Sequence, residues 1–368
     1  MVKPVVNEMI EERLEDRSAQ AGNSPSAGVR QASDSVAPEV LRGQLESQPA
    51  LMAWKQLLSQ GWKVVAIDRL TPRKQKSCPV FRLRGPQGET VIAKRCRKEG
   101  ARIERMIYQE VLPRVPLPRL EFRGLLEEPV GEFCWLFLED AASEPYSPKL
   151  RHHRALAGRW LGEVQVASFS FNLQDRLPGR EPGHYFRSLR GSKVILVDHL
   201  GHNTAMVTED AEVFHKAVAL LETAETHWSQ IEETCGVMPR TLVHGDFAAK
   251  NVLVRDGSPS PALLVFDWEF AGWGVPGIDL AQLDERAVSP DLDVYGSVLQ
   301  RAQLHLTSGE IQAVAACGNL FRLVEEVRWA TSFLKFDSRE YLIKTVEELR
   351  FYEPLLAKAL EILKVGLA

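Results

Sequence analysis

HGDFAAKN, residues 244–251, directly follows the β-branched and apolar run at residues 241–243. A second apolar run occupies residues 263–266 and leads into Asp267-Trp-Glu269. Both runs have the length and composition of short β-strands. Asp and Asn are common turn formers, so the simplest interpretation of HGDFAAKN is a polar turn between two strands. The residues around it favour a chemical role instead.

The spacing of the polar side chains suits a site for a phosphorylated, metal-bound ligand. Asp246 and Asn251 are five residues apart, and Asp267 lies sixteen residues beyond Asn251. Magnesium prefers hard oxygen ligands, commonly one or two protein groups completed by phosphates and water. An Asn carbonyl and an Asp carboxylate at neighbouring strand ends would supply such ligands. A second carboxylate close to them could accept the proton of a hydroxyl group.

Two residues earlier in the chain extend this pattern. Lys94 ends the apolar strand that begins at Val91, and Glu104 lies ten residues later on a predicted helix. A helical Glu that faces a strand Lys can hold the ammonium group while it contacts phosphate oxygens. Taken alone, Lys94 could be a solvent-facing strand end, and Glu104 a partner of Arg105 on a charged surface. The order Lys, Glu, H-x-D-x-x-x-x-N and Asp matches the phosphoryl-transfer arrangement of protein kinases.

Over roughly residues 62–340 the chain resembles the aminoglycoside phosphotransferase and choline kinase-like branch of the protein-kinase fold. The resemblance rests on H-G-D-x-x-x-x-N, on Asp267-Trp-Glu269 and on Gly277-Ile-Asp-Leu-Ala281. It implies an α+β, two-lobed protein-kinase-like fold with a small β-rich N-lobe and a larger, mostly helical C-lobe. It also implies an ATP- and Mg²⁺-dependent phosphotransferase.

The resemblance assigns expected roles to the residues of the motif. Asp246 would be the catalytic base, and Asn251 and Asp267 would be the magnesium ligands. Lys94 would contact the α- and β-phosphates of ATP and would be held in place by Glu104.

The same resemblance implies supporting residues. His244 would pack the catalytic loop, and Asp279 would brace it; a plain helix N-cap is the alternative for Asp279. The hinge residues Leu138, Glu139 and Asp140 would bind adenine through backbone groups.

Composition and periodicity predict a tail and two lobes. Residues 1–48 are expected to form a disordered tail, because residues 18–49 are rich in Ser, Ala, Gln, Gly and Pro. Residues 49–140 are expected to form the nucleotide-binding N-lobe, and residues 141–368 the C-lobe with the catalytic loop, metal site and acceptor-binding helices. Strands are predicted at residues 62–67, 79–83, 90–94, 132–138, 241–243 and 263–266. Helices are predicted near residues 99–112, 148–168, 210–234, 290–306, 309–335 and 338–365.

A basic segment lies in the predicted N-lobe. The net charge of the whole chain is −4, but residues 69–105 contain twelve Lys or Arg against three Glu. Such a segment attracts anions, although a solvated basic surface is the plain alternative. Protein kinases cover the phosphates with a Gly-rich loop, whereas residues 70–77 contain no glycine. Arg73, Lys74 and Lys76 in this loop are therefore predicted to contact phosphates by charge.

The chain length between Asp267 and Asp279 predicts the class of acceptor. Only eleven residues separate them, which leaves no room for a long activation loop. A hydroxyl of a small molecule is favoured, such as an aminoglycoside, a choline-like amine, a sugar or a related metabolite. Lys250 is either a cation near the γ-phosphate or a solvent-facing lysine. Acidic and aromatic side chains would suit an amine, and the candidates are Trp268, Glu269, Trp273, Glu325, Glu326 and Trp329.

Three other interpretations compete with a kinase. Gly272-Trp-Gly-Val-Pro-Gly277 matches the dinucleotide-binding pattern G-x-G-x-x-G, but the strand–helix–strand repeat is missing around it. A kinase-fold pseudoenzyme or nucleotide-binding regulatory protein is the alternative to catalysis. A nucleic-acid binder is disfavoured, because Phe81 alone interrupts the basic segment as a stacking platform.

Composition also bears on location. The chain is 45% hydrophobic and 26% charged, and no apolar run approaches the ~20 residues needed to cross a bilayer. Its first residues lack the apolar core of a signal peptide. Five scattered cysteines without a C-x-x-C pair favour reduced thiols. The sequence thus predicts a cytoplasmic protein without a membrane segment. It predicts neither the oligomeric state nor the choice between ATP and GTP.

Overall fold

The computed structural model describes residues 39–41, 45–57, 62–71, 78–141, 143–257, 261–283, 285–336 and 338–366. The chain divides into two units. The first, here called the β unit, comprises Met1–Ser143 and Leu264–Glu269. The second, the helical unit, comprises Glu144–Leu263 and Phe270–Ala368.

An antiparallel sheet of six strands forms most of the β unit, in the order β1-β2-β3-β4-β6-β5. The strands are β1 (Glu39–Val40), β2 (Ala66–Arg69), β3 (Val80–Arg84), β4 (Thr90–Arg97), β5 (Phe122–Glu127) and β6 (Phe133–Glu139). β6 pairs with β4 on one side and β5 on the other, and its residues 134–138 are all buried. In β4, Val91 and Ala93 are buried, whereas Lys94 is half-buried. The alternation of a strand therefore places Lys94 on the face opposite Val91 and Ala93.

Two helices complete the β unit. α1 (Pro49–Leu57) places Trp54 in the core against Phe137, with ring centroids 4.9 Å apart. α2 (Lys98–Met106) follows β4 directly, buries Glu104, and continues as a π-helical turn and a 3-10 turn up to Arg114. Because α2 follows β4 directly, its buried face returns a carboxylate toward the strand that carries Lys94.

Helices dominate the second unit. They are α3 (Arg151–Ser168), α4 (Pro182–His202), α5 (Thr208–Thr226), α6 (Trp228–Cys235), α7 (Leu292–Arg301), α8 (Ser308–Ser332) and α9 (Arg339–Gly366). The short strands are β7 (Glu144–Pro145), β8 (Gly179–Arg180), β9 (Thr241–Val243), β10 (Val252–Arg255) and β12 (Gly272–Gly274). β11 (Ala262–Val265) carries the chain from the helical unit into the β unit. Within the described part of the chain, no helix is both long and apolar enough to span a bilayer.

Close backbone packing holds the segment after β12 in place. The 3-10 turn Pro276–Leu280 packs on α8, and a Cβ added to Gly318 would lie 1.6 Å from the Gly277 carbonyl oxygen. Gly274 likewise lies against the backbone of Arg180, because its added Cβ would be 2.2 Å from that carbonyl oxygen. The glycines of the G-x-G-x-x-G pattern therefore serve backbone contact, and the dinucleotide-binding interpretation is wrong.

Several elements differ from the sequence prediction. α4 was not predicted, because serines at 188 and 192 interrupt the buried face formed by Tyr185, Leu189 and Leu196, and its sequence contains three glycines. β5 is irregular as well, with Gly124 at φ +147° and a register shift beside it. The predicted helix over residues 210–234 is interrupted at His227, between α5 and α6.

The predicted tail is also shorter than expected. β1 lies inside it, pairs with β2, and leads to Leu41, whose N–H donates to the Ile67 carbonyl at 2.9 Å. Leu41 and Leu45 pack against the core of the β unit. The prediction of a disordered tail through residue 48 is thus wrong for residues 39–41 and 45–48. Composition did not predict this segment, because a strand of only two paired residues needs no apolar pattern. Residues 1–38 and 42–44 of the predicted tail lie outside the described residues.

Candidate active site

The predicted catalytic loop begins where β9 ends. Gly272 of β12 pairs with Val243, the last residue of β9. Gly245 then has φ +79°, and an added Cβ would lie 2.4 Å from the Phe270 carbonyl oxygen. Glycine adopts this left-handed conformation without a steric penalty and permits the close approach. The glycine of the H-G-D motif therefore allows the sharp turn that presents Asp246.

We expect Gly245→Ala to destabilise the protein by about 1–3 kcal/mol, because both the backbone conformation and the Cβ contact are unfavourable. Urea unfolding measures the change. Gly191→Ala is the matched control, since no heavy atom lies within 4 Å of its added Cβ and it lies inside a helix. Equal losses of stability in the two variants would contradict the special role of Gly245.

Asp279 braces the start of the loop. Its carboxylate accepts the His244 N–H at 2.7 Å and the Gly245 N–H at 3.1 Å. Burial raises the pKa of Asp279 to about 7, and these two backbone donors act in the opposite direction. The N-cap alternative is wrong, because Asp279 lies within a 3-10 turn whose N-cap is Val275.

His244 is buried beneath the loop. Its Nδ1 accepts the Asp246 N–H at 3.3 Å, and its ring lies 5.9 Å from that of Phe247. Both the backbone and the ring of His244 therefore contact the loop, which is the geometry expected of a residue that packs it.

Three side chains converge on the Asp246 carboxylate, which is 10% exposed. Asn251 Nδ2 donates to Oδ2 at 3.1 Å, and Lys250 Nζ lies 3.3 Å from the same oxygen. Arg322 Nη1, from α8, lies 3.9 Å from Oδ1. Lys250 is 55% exposed, and the structure places it beside the carboxylate rather than turned away from the loop. Asn251 thus holds one oxygen of the carboxylate by a hydrogen bond, and two cationic groups lie within 4 Å of the carboxylate.

Asn251 has the donor chemistry of a magnesium ligand. Its Nδ2 also donates to the Asp246 carbonyl oxygen at 2.9 Å, so the amide nitrogen is committed to Asp246. The amide oxygen Oδ1 is the hard donor type that Mg²⁺ accepts. Among the described residues, no cluster of three or more His, Cys, Asp or Glu side chains is arranged to hold a metal.

In the β unit, Lys94 joins two carboxylates. Its Nζ lies 3.1 Å from Glu104 Oε2 and 2.5 Å from Asp267 Oδ1. The other oxygen of Glu104 accepts the Trp268 N–H at 2.9 Å. Glu104 therefore holds both the lysine and the backbone that follows Asp267.

This arrangement shifts the pKa values of Lys94 and Glu104. Burial alone would lower the pKa of Lys94, but the charges of Asp267, Glu104 and Glu269 hold it well above its usual value. Burial raises the pKa of Glu104 to about 7, although the nearby ammonium group acts in the opposite direction. Lys94 is thus a fixed positive charge.

The backbone at Asp267 is unusual. Its φ is +68°, a left-handed conformation that non-glycine residues rarely adopt and that often marks functional sites. The following Trp268 is buried, and its indole N–H donates to the Val265 carbonyl at 3.3 Å. This anchor, together with the Glu104 contact, holds the strained residue in place.

The predicted hinge lies at the end of β6. Leu138 pairs with Ile92 and Phe122, and the Glu139 N–H donates to the Glu121 carbonyl at 2.9 Å. The Asp140 side chain accepts from Arg82 Nε and Nη2, at 2.5 and 3.0 Å. Sheet pairing thus engages the Glu139 N–H, and adenine binding by this segment stays a prediction.

Much of the basic segment is neutralised by ion pairs. Its pairs are Arg82 with Asp140, Arg84 with Asp68, Arg95 with Glu128, Arg97 with Glu132, and Lys98 and Arg102 with Glu127. These carboxylates all lie outside residues 69–105, so the composition of the segment overstated its positive charge. Arg73, Lys74 and Lys76 lie outside the described residues, and their contact with phosphates stays a prediction.

Of the six candidate acceptor residues, two belong to the β unit and four to the helical unit. Trp268 is buried in the β unit, where Glu269 lies against Gly100, 2.9 Å from its added Cβ. Trp273 in β12 is half-buried, and Trp329 of α8 lies 6.0 Å from the Phe270 ring. The last two candidates are Glu325 and Glu326, also on α8.

Both glutamates of α8 have partners within the helical unit. Glu325 contacts Arg328 Nη2 at 2.7 Å, Ser188 Oγ at 2.7 Å and His184 Nε2 at 3.5 Å. Burial acts to raise the pKa of Glu325, but these neighbours hold it well below its usual range. Glu326 is buried and accepts a hydrogen bond from the Tyr352 hydroxyl at 3.0 Å. Their roles in acceptor binding stay predictions.

Arg322 is the site residue that the sequence analysis missed. It is buried, and its Nη1 lies 3.9 Å from Asp246 Oδ1. One signal was present in the sequence, because Arg322 interrupts the apolar run of residues 320–324 and precedes Glu326 by one helical turn.

Comparison with known proteins agrees with this geometry. A profile of the phosphotransferase enzyme family, APH, matches residues 71–315, the range that contains both the lysine site and the catalytic loop. A search of curated proteins gives no match.

Three solved structures are similar in fold. A spectinomycin phosphotransferase in complex with ADP and spectinomycin is 10% identical, with 86% of this chain and 99% of that chain covered and a TM-score of 0.59. Aminoglycoside 2'-phosphotransferase-IIIa in complex with GDP is 11% identical, with coverage of 83% and 99% and a TM-score of 0.58. Choline kinase from Cryptosporidium parvum Iowa II is 12% identical, with coverage of 82% and 93% and a TM-score of 0.51.

These likenesses define an α+β protein-kinase-like fold with a small β-rich lobe and a larger, mostly helical lobe, as the sequence predicted. The family profile covers well over half of the chain, so the chain belongs to the phosphotransferase enzyme family.

Proposed function

We propose that this protein transfers the γ-phosphoryl group of ATP, in the presence of Mg²⁺, to a hydroxyl group of a small molecule. One observation carries the proposal: Asp246 is oriented by Asn251 on a loop that Asp279 braces. Its carboxylate is 10% exposed, which leaves a face for an acceptor hydroxyl.

In the proposed reaction, the acceptor oxygen forms a bond to the γ-phosphorus while the bond to the β–γ bridging oxygen breaks. ADP leaves, and the hydroxyl proton passes to Asp246. The carboxylate orients the hydroxyl before transfer and accepts its proton during it, which is a typical role of a general base. The hydrogen bond from Asn251 restrains the carboxylate and so reduces the cost of orientation, and the Arg322 guanidinium lies 3.9 Å from its other oxygen.

On the side of the nucleotide, Lys94 is proposed to contact the α- and β-phosphates, with Glu104 and Asp267 fixing its ammonium group. Asn251 and Asp267 are proposed as the protein ligands of Mg²⁺, which, when bound, would neutralise phosphate charge. The hinge residues and the basic loop are proposed to bind adenine and phosphates as the resemblance implies.

The proposed acceptor is a small molecule. The eleven residues between Asp267 and Asp279 form two 3-10 turns and β12, without a separate docking segment. Arg322, Glu325 and Trp329 recur at intervals of three and four along α8, so they share the face that reaches Asp246. We propose that Glu325 and Trp329 line the acceptor site on this face.

The names of the similar solved structures suggest which acceptors to test. The similar structures are named for spectinomycin, aminoglycoside and choline as substrates. The Glu325 carboxylate is already paired with Arg328, which weakens the charge argument for a strongly cationic acceptor.

A phosphotransfer screen tests the proposal. Purified protein, ATP or GTP and Mg²⁺ are incubated with aminoglycosides, choline-like amines, sugars and nucleosides, and nucleoside diphosphate release is measured. We expect acceptor-dependent release that requires Mg²⁺. Nucleotide binding without transfer to any acceptor, and without slow ATP hydrolysis, would instead favour a kinase-fold pseudoenzyme.

A further inference from the structure

A buried chain of polar contacts links Asp246 to the two long C-terminal helices. Arg322 Nη1 lies 3.9 Å from Asp246 Oδ1, and Arg322 Nη2 lies 3.8 Å from Glu326 Oε1. The other oxygen of Glu326 accepts a hydrogen bond from the hydroxyl group of Tyr352, on α9, at 3.0 Å. Arg322 of α8 therefore reaches the carboxylate that is proposed to act as base, and Tyr352 of α9 is linked to it through Glu326.

The chain of contacts returns to the catalytic loop. The Tyr352 hydroxyl accepts from Arg286 Nη1 at 2.8 Å, and the Arg286 guanidinium also lies over the Tyr352 ring at 5.8 Å. The Arg286 carbonyl accepts the Ala249 N–H at 2.8 Å. Ala249 lies three residues after Asp246, so the contacts form a closed ring: loop backbone, Arg286, Tyr352, Glu326, Arg322 and the Asp246 side chain.

Three side chains of the ring are buried, and burial limits the positions that they can take. Arg322 is 6% exposed, Glu326 is 4% exposed and Tyr352 is 1% exposed. Burying a charge is costly unless charged or hydrogen-bonding partners compensate it, so Arg322 is restricted to positions close to its two carboxylates. The Tyr352 hydroxyl receives one hydrogen bond and donates another, which fixes the Glu326 carboxylate in turn.

We propose that Arg322 is a positioning residue for Asp246, and that Tyr352 acts through Glu326 to hold Arg322 in place. This inference rests on the proposed function, in which Asp246 accepts the acceptor proton. It gives Glu326 a place in the ring instead of the acceptor site. It also means that a residue of α9 contributes to kcat, although α9 lies beyond the range matched by the family profile.

The proposal predicts changes in kcat rather than in KM. Arg322→Met is expected to lower kcat about 100-fold, because a carboxylate displaced by about 1 Å loses that much rate. Tyr352→Phe keeps the ring system and removes one hydroxyl, so kcat is expected to fall about fivefold. KM for nucleotide and acceptor is expected to change less than about twofold, since neither residue is proposed to touch them. Arg322→Lys keeps the charge and is expected to recover about tenfold of the loss.

A matched control separates positioning from general stability. Tyr295 is also buried, and its hydroxyl donates to Gln165 Oε1 at 2.7 Å, outside the ring. Tyr295→Phe therefore removes a comparable hydrogen bond and should lower Tm with kcat unchanged. If Tyr352→Phe lowers Tm to the same degree and leaves kcat unchanged as well, the ring is structural and the proposal is wrong.

A double variant tests whether Tyr352 acts on Asp246 through Arg322. If Tyr352 acts through Arg322, Tyr352→Phe should cause no further loss of kcat in the Arg322→Met background. Independent, additive losses would overturn the proposed linkage. Should Arg322→Met not fold, Arg322→Lys replaces it in the same comparison.

Asp246→Asn, assayed in parallel, distinguishes this proposal from the proposed function. If Asp246→Asn is inactive while Arg322→Met keeps kcat within about twofold, the positioning role alone fails. If Asp246→Asn is fully active, the proposed function fails first.

Discussion

Asp246→Asn is expected to lower kcat for phosphoryl transfer by about 10²–10⁴-fold and to leave nucleotide affinity nearly unchanged. The amide has almost the same shape as the carboxylate, but it cannot accept the hydroxyl proton. Asn251 donates to the Asp246 side chain, and Lys250 lies 3.3 Å from it, so both can keep these contacts with an amide oxygen at position 246. Steady-state turnover and equilibrium binding of a fluorescent nucleotide analogue measure the two quantities.

Asp256→Asn is the matched control for this experiment. Asp256 is exposed and follows β10, five residues after Asn251, so its substitution should change neither turnover nor binding. Undiminished turnover in Asp246→Asn would remove Asp246 from the role of base. A parallel loss of nucleotide affinity would show that the carboxylate acts on binding.

Lys94→Met is expected to lower kcat/KM for the nucleotide by about 10²–10³-fold, because it removes the fixed positive charge that is proposed to contact phosphate oxygens. The same substitution leaves Glu104, which is fully buried, and Asp267 without the ammonium group that they share. Kinetics at several nucleotide concentrations measure the loss. Tm measured in the absence of nucleotide separates it from a loss of folding.

Lys63→Met removes an exposed lysine from the same unit and serves as the control for charge. It should leave kcat/KM within about twofold of the wild type. If both lysine variants lose activity to a similar extent, general electrostatic attraction of the nucleotide explains the effect better than a specific contact.

The parts of the site that the sequence predicted are those that local motifs encode. The H-G-D-x-x-x-x-N spacing gave Asp246 and Asn251, which the structure places within hydrogen-bonding distance. A strand-end lysine followed by a helix predicted that Lys94 and Glu104 would meet, and they do so at 3.1 Å. In both cases only a few residues and one turn separate the partners, so periodicity and turn chemistry determine the contact.

Contacts between distant elements were not predictable in this way. Arg322 lies 76 positions after Asp246 in the sequence, and its second carboxylate partner, Glu326, accepts a hydrogen bond from Tyr352 of α9. Nothing in a single sequence says which carboxylate a buried arginine will face. The prediction from the basic segment failed for the same reason. Glu128, the partner of Arg95, lies between β5 and β6, and Asp140, the partner of Arg82, directly follows β6, so a count of charge within residues 69–105 omits both.

α4 shows a different limit of sequence reasoning. Serines share its buried face with Tyr185, Leu189 and Leu196, and the helix packs against α8 and α5. Tertiary contacts of this kind override local propensity.

The segment Leu264–Glu269 has a consequence for the order in which the protein can form during synthesis. Lys94 and its partner Asp267 are 173 residues apart, and Glu104 and Trp268 are 164 apart. At about 5–20 residues per second, roughly 10–30 s pass on the ribosome between the emergence of the lysine and that of its second carboxylate. During that interval all six strands of the β unit have been synthesised, but Lys94 lacks one of its two carboxylate partners. A nascent chain halted before residue 264 would therefore carry all six strands without Asp267 and Trp268, the residues that Lys94 and Glu104 contact.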